Sequence, residues 1–356
     1  MNLQLSPDLQ SLLGEYFKYF VRLRPNVQYP GSIPLIKDYK KINNHIDADR
    51  FFEKYGVGNK IIVTENPLER TAAYELLLYI LNSYEEKQFS KIHKGTPYYF
   101  IAWTAYQSSF FEKALFYMDA AVSEDLKIYE KRGKKTTPSM SFFLLEENKE
   151  SVGFFTLDVN NSSIFTKTLR EFSSNSKLEF KREDFIEMFV KPILFGDNKH
   201  RSLLTALYGF FLEYQIYERQ VFLRSSDGGS IEPFLNHLLK GARILESILE
   251  LKSGKMLNLY QKIAKLKSQI EITQKHFDSN GALKTLEHAK NSFNELSANG
   301  NTFQDCNFVP SYIIRNTTGH SLLWTDEFKT NQSYLILYQC LTNSILWSIY
   351  KLWISK

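Results

Sequence analysis

Cysteine is nearly absent from this chain: Cys306 and Cys340 are the two among 356 residues. A disulfide-stapled secreted scaffold is excluded, and no cysteine pair has zinc-ligand spacing, so a reducing, cytoplasmic setting is expected. Histidine is scattered. His45, His93, His200, His237, His276 and His288 share no metal-ligand spacing, and no metal centre is expected. No phosphate-cradling Gly-Lys-Ser/Thr loop occurs. Ser226-Asp227-Gly228-Gly229-Ser230 lacks the lysine and reads as a turn, and no cofactor is expected. The first residues, Met1-Asn2-Leu3-Gln4-Leu5, lack a basic region followed by a long apolar run, so no secretory leader is expected.

What remains is an apolar, aromatic, mildly basic chain. Hydrophobic residues make up 43%, enough for two domains or one large helical one. The formal charge of +5 is compatible with an anionic partner without requiring one. Phe (28) and Tyr (21) are abundant; most of the rings belong in a core, and some are available to stack on bases. The run from Tyr334 to Ile354 is long enough for a bilayer. It nevertheless carries Gln339, Thr342, Asn343, Ser344, Ser348 and Lys351, which are costly in lipid, so a helix buried in a bundle is expected and no membrane partner.

Periodicity points to helices nearly throughout. Leu9, Leu12, Leu13, Tyr16, Phe17 and Phe20 recur at helical spacing. Ile61-Ile62-Val63-Thr64 is open between a strand and a buried turn. A helix is expected from Pro67 to Leu81, and another from Gly95-Thr96-Pro97, with Thr96 as cap and Pro97 in the first turn. Ile101, Ala102, Ala105, Ala114, Met118 and Ala121 fall where a tetratricopeptide hairpin packs, so 67–130 resembles tetratricopeptide-like hairpins; ordinary helices fit equally. Lys131-Arg132-Gly133-Lys134-Lys135 is a basic loop, read as a solvated charge run or an RNA contact. Phe154 to Val159 reads as a short strand or linker. Asn160-Asn161-Ser162-Ser163 and Ser173-Ser174-Asn175-Ser176 read as breakers, with a domain boundary at 195/196.

Beyond that boundary, Leu203–Leu223 and Ile231–Leu251 are long helical runs. Met256, Leu259, Ile263, Leu266, Ile270, Thr273 and Phe277 alternate by three and four, a coiled-coil seam. Leu286, Ala289, Phe293 and Leu296 continue it after a turn, so an antiparallel hairpin is expected. Its outward face would carry Lys255, Lys262, Lys265, Lys267 and Lys275, either an RNA-facing stripe or a soluble surface.

Near the end stands Pro310-Ser311-Tyr312-Ile313-Ile314-Arg315-Asn316-Thr317-Thr318-Gly319-His320. A guanidinium holds phosphate through a planar fork and stays charged. An imidazole moves a proton near neutral pH. If the segment opens a helix, Arg315 and His320 share one face. The segment resembles the signature of the HEPN superfamily (higher eukaryotes and prokaryotes nucleotide-binding), in which Arg, a polar residue and His stand at a helix head. Arg315, Asn316 and His320 match those positions, and the resemblance covers roughly 200–356.

The resemblance implies a HEPN-like four-helix bundle with an inserted helical hairpin at 196–356. It leaves the earlier residues unexplained; with the helical periodicity there, the expectation is a mainly α chain whose residues 1–195 form a mostly helical regulatory region. It implies metal-independent endoribonuclease chemistry with Arg315, Asn316 and His320 as catalytic residues and a 2′,3′-cyclic phosphate product. The implied setting is a toxin or antiphage defence effector. The implied partners are RNA, a second copy in a homodimer, and a regulatory protein or antitoxin. A non-catalytic RNA- or nucleotide-binding module, or a protein-interaction scaffold, is the alternative.

Overall fold

The computed structural model describes residues 38–55, 67–84, 86–146, 156–223, 230–254, 258–273, 277, 285–318 and 331–355. The described chain is mainly α-helical, as the periodicity predicts, and contains no strand among these residues. The opening periodic segment, Ile61–Thr64 and the glycine turn after Ser225 lie outside them. The chain divides into two compact units, 1–159 and 160–356, so the division falls ahead of the 195/196 boundary read from composition.

The first unit holds α1 (His45–Tyr55), α2 (Pro67–Tyr84), α3 (Gly95–Gln107), α4 (Phe111–Lys127) and α5 (Pro138–Phe143). Tyr39, Phe51, Phe52, Tyr74, Leu77, Leu81 and Ile101 form one core cluster. Helices α3 and α4 pack as a hairpin. Ala102, Ala105, Ala114 and Ala121 are all buried, and their small side chains let the two backbones approach closely. Pro97 does sit in the first turn of α3. Thr96, however, is not its cap: the cap position is Lys94, with no side-chain cap bond, and the Thr96 hydroxyl donates instead to Asp49 at 2.9 Å. A tertiary carboxylate has outcompeted the local backbone.

Helix α6 (Thr156–Ser176) replaces two expected irregular stretches. Residues 156–159 are its first turn, not a strand, and Asn160-Asn161-Ser162-Ser163 lie inside it. Asn161 and Ser162 are buried, so the breaker reading failed because tertiary burial overrode weak local propensity. The second serine-rich stretch does end the helix. Further along α6, the Phe165 ring packs on Phe185, Tyr208 and Phe211.

Four long helices dominate the second unit: α7 (Arg201–Leu223), α8 (Glu232–Ser253), then, after α9 (Leu259–Leu266) and α10 (Leu286–Ala298), α11 (Phe303–Thr318) and α12 (Asn331–Ile349). Helix α8 packs on α7, α9, α11 and α12. Gly241 permits this. A Cβ there would lie 2.6 Å from the Phe210 ring and 3.1 Å from Leu341. Phe210 is itself fully buried, and it packs on Tyr338. Beside it, His237 Nε2–H donates to the Phe210 carbonyl at 2.8 Å, and the Tyr334 hydroxyl donates to Nδ1 at 2.7 Å. Burial drives the His237 pKa down to about 3, so the ring is neutral, in the one tautomer that serves both bonds. Helix α12 is the buried bundle helix expected of the Tyr334–Ile354 run. No helix among the described residues is long and apolar enough to cross a membrane.

The coiled-coil hairpin is not what the chain builds. Helix α9 stops at Leu266 and packs on α8, whereas α10 packs on α11. Gly254, at φ +90°, ends α8, and an Asn258–Gln261 capping box starts α9, so the chain folds back onto α8. Leu259, Ile263, Leu266 and Ile270 are buried as the seam requires, but in the bundle core. The lysine stripe is broken as well. Lys262 is buried against Glu246 (3.3 Å) and Glu250 (2.7 Å). Lys265 and Lys267 are exposed, and Lys255 and Lys275 lie outside the described residues.

Substituting Gly241→Ala tests the close approach. At an open helical site alanine stabilises by up to ~1 kcal/mol. Here the methyl meets a locked ring, and a net loss of about 1–3 kcal/mol is expected in urea unfolding. Unchanged or increased stability would show that Phe210 can move aside.

Candidate functional site

Helix α11 is anchored by Ile313 and Ile314, both buried, and Arg315 and Asn316 follow in its last turns, half-buried. The segment therefore lies inside a helix that began at Phe303 and does not open one. Backbone N–H groups there are already bonded within the helix, so none is offered to an anion beside Arg315. His320 lies outside the described residues, so of the expected trio the structure places Arg315 and Asn316.

Arg315 Nε–H donates to Glu246 Oε2 of α8 at 2.7 Å. Glu246 also accepts from Lys262, which donates in turn to Glu250. Burial alone would push the Glu246 carboxyl upward, but the bonds and charges of Arg315 and Lys262 hold it below its ordinary value. The Arg315 side chain remains 30% exposed. Among the described residues its two terminal Nη groups have no hydrogen-bond partner. One edge of the guanidinium is thus fixed, and the fork of Nη donors is unused by any described residue. That is the geometry for holding one oxyanion by two parallel bonds.

Sequence reasoning missed a second ionic cluster, in the first unit. His93, its side chain 4% exposed, stands between two carboxylates: Nδ1 is 3.2 Å from Asp49 Oδ1 and Nε2 is 3.0 Å from Asp125 Oδ1. Both ring nitrogens face acceptors, so both carry protons and the ring is a cation. Burial opposes that charge, but the two carboxylates outweigh it and raise the His93 pKa. Asp49 also receives Thr96 and Arg132, which ties down the basic loop at 131–135. The other Asp125 oxygen accepts from Thr137 and Ser139, each at 2.6 Å. Thr137 also caps α5. Gly95 is required here, because a Cβ would lie 2.2 Å from Asp125 Oδ1.

The cluster has serine, histidine and aspartate but not the order that activates a nucleophile. Ser139 bonds to Asp125, and no hydroxyl is paired with the imidazole to surrender its proton. Every strong acceptor is occupied. It clamps α1, α3, α4 and α5 together. No local motif announces it, because the partners of His93 come from positions 32 and 44 residues away. Among the described residues no group of three or more His, Cys, Asp or Glu side chains could hold a metal ion.

The raised His93 pKa sets a sign for pH dependence. Its contribution is fully present below the unfolded value near 6.5 and is lost as pH rises through the higher folded value. Unfolding of wild type and His93→Gln, followed by hydrogen exchange of α3 and α4 amides, should give curves that converge as the pH is raised above the unfolded histidine value, near 6.5. Parallel curves would mean that the ring is neutral in the fold.

No family model, no curated protein and no solved structure matches this chain.

Proposed function

We propose that the second unit is a HEPN-like, metal-independent endoribonuclease module, with Arg315, Asn316 and His320 as its reacting trio. The observation that supports it is the half-used guanidinium: Glu246 fixes Arg315 through Nε and leaves the Nη fork open to a phosphate. RNA brings its own nucleophile. In this reading the 2′-oxygen attacks phosphorus, the bond from phosphorus to the 5′-oxygen breaks, and His320 takes the 2′-hydroxyl proton. A proton is returned to the departing 5′-oxygen, giving a 2′,3′-cyclic phosphate and a 5′-hydroxyl with no net reagent consumed. Arg315 neutralises the charge growing on the phosphoryl oxygens, and Asn316 orients the phosphate or the imidazole. A homodimer places two such trios about one axis and supplies the second proton carrier. The roles of toxin or defence effector, and of the first unit as a regulator, belong to the same proposal.

A second reading has its own observation. The chain Arg315–Glu246–Lys262–Glu250 joins α11, α8 and α9, so Arg315 also serves the fold. On that reading the unit binds RNA or a protein partner without turnover.

Incubation of purified protein with RNA in EDTA separates the two. Cleavage to cyclic-phosphate ends is expected, falling by about 10²–10³-fold in Arg315→Ala, the scale of a lost oxyanion donor. His320→Ala is expected to abolish it. Glu246→Gln, which frees the guanidinium without removing it, should give a smaller loss. Intact RNA with wild type, or equal cleavage by the Arg315 and His320 variants, would sink the ribonuclease reading.

A further inference from the structure

Away from Arg315, the second unit carries a groove of ≈ 780 Å³ between the start of α7 and the outward face of α8. That is within the usual range for a small-molecule site, roughly 300–1,000 Å³. Its floor is apolar: Leu203 and Ala206 on one wall, Leu239, Ile244 and Leu251 on the other. Basic side chains line it as well: Lys199 from the segment before α7, and Lys240 and Arg243 from α8, with His200 beside Lys199. Lys240 is already neutralised by Glu213 at 2.6 Å. Lys199 has only a distant, exposed partner in Asp197, at 3.7 Å. The Arg243 guanidinium forms no ion pair among the described residues, and the side chain is exposed. The acidic lining residue, Glu250, is held by Lys262. Ser202, Asn236 and Ser247 add neutral donors along the edges.

The charge imbalance and the floor select different parts of one ligand. Arg243, with no ion pair among the described residues, and Lys199, with one long exposed pair to Asp197, suit a dianionic headgroup, which a guanidinium and an ammonium grip better together than singly. A bare inorganic anion would leave the leucine floor wet, whereas an uncharged apolar molecule would leave the cations unmatched. We infer that this groove binds an organic phosphomonoester: a phosphate gripped by Arg243 and Lys199, carrying a flat or aliphatic body laid over the apolar floor on the Leu239 side of Arg243, one helical turn away. The inference does not rest on the ribonuclease reading, since neither Arg315 nor Asn316 lines the groove.

Isothermal titration calorimetry on the full chain tests it, with phenyl phosphate, adenosine monophosphate, inorganic phosphate and phenol as probes. Phenyl phosphate or adenosine monophosphate is expected to bind, and which one binds tighter tells a compact body from a nucleoside. Inorganic phosphate and phenol should bind at least about tenfold more weakly, since each keeps half of the contacts. Arg243→Glu and Lys199→Glu should each weaken the organic phosphates by about tenfold or more, the cost of reversing one charge-assisted contact. Lys167→Glu makes the same charge change at an exposed site on α6 and should leave affinity unaltered. Circular dichroism of all three variants checks that the fold survives. The proposal is overturned by absence of binding to either organic phosphate, by equal affinity for inorganic phosphate, or by equal losses in Lys167→Glu and Arg243→Glu.

Discussion

Helix α8 is covered on several sides at once, and the missing Cβ of Gly241 is the condition for that. With any larger residue, the 2.6 Å approach to Phe210 could not exist, and α7 and α12 would have to stand off. The contact has a polar companion one turn earlier. His237 receives a hydroxyl bond from α12 and donates to a carbonyl of α7, so three helices are fixed in register as well as in spacing. Such a bond inside an aromatic cage is specific because the alternative, an unpaired imidazole in an apolar interior, is costly. Once α8 is held there, its outward edge is set: Glu246 toward α11, Glu250 toward α9, Arg243 toward the groove. The site residues are consequences of how the core closes.

The long helices were legible. Leu203–Leu223 and Ile231–Leu251 were read within two residues of α7 and α8, because an amphipathic period sustained over twenty residues has few other solutions. The seam from Met256 to Phe277 misled for a related reason. A spacing of three and four says that one face is buried; it does not say against what. Tertiary partners decided, and a glycine with positive φ at 254 redirected the chain. Lys262 was misplaced because a sequence cannot show that two carboxylates wait inside to neutralise an inward lysine. The asparagines and serines of 160–163 misled by composition: turn formers in isolation, they are helix residues where the surroundings bury them.

Part of the candidate site was legible too, and part was not. Arg315 and Asn316 stood out by residue type, and the structure places them half-buried in a bundle helix, well beyond its first turn. Their place in the helix was not readable, since the aliphatic pair before Arg315 fits a helix that begins or one already under way. The difference matters chemically. Inside a helix the backbone N–H groups are already bonded, so a phosphate beside Arg315 is held by side chains, and the demand on the Arg315 fork is correspondingly greater. The His93 clamp was invisible, being assembled entirely from long-range partners.

The two ionic systems show what separates a clamp from a site. Each joins cations to carboxylates at the meeting of several helices, and neither is distinguished by its residue types. What differs is spare hydrogen-bonding capacity. Around His93, both ring protons are used, Asp125 accepts at both oxygens, and Asp49 takes three donors. A ligand could enter only by displacing an internal bond, and the imidazole and Asp125 are closed to solvent. Around Glu246 the acceptors are likewise filled, but the donor side is not: among the described residues Arg315 gives one side-chain bond and its fork gives none. A carboxylate that takes the Nε edge positions the guanidinium without consuming the edge suited to a phosphate. The residue that secures α11 to α8 is, on the proposed reading, also the one that receives an anion, and its structural role and its proposed chemical role rest on different atoms of the same side chain.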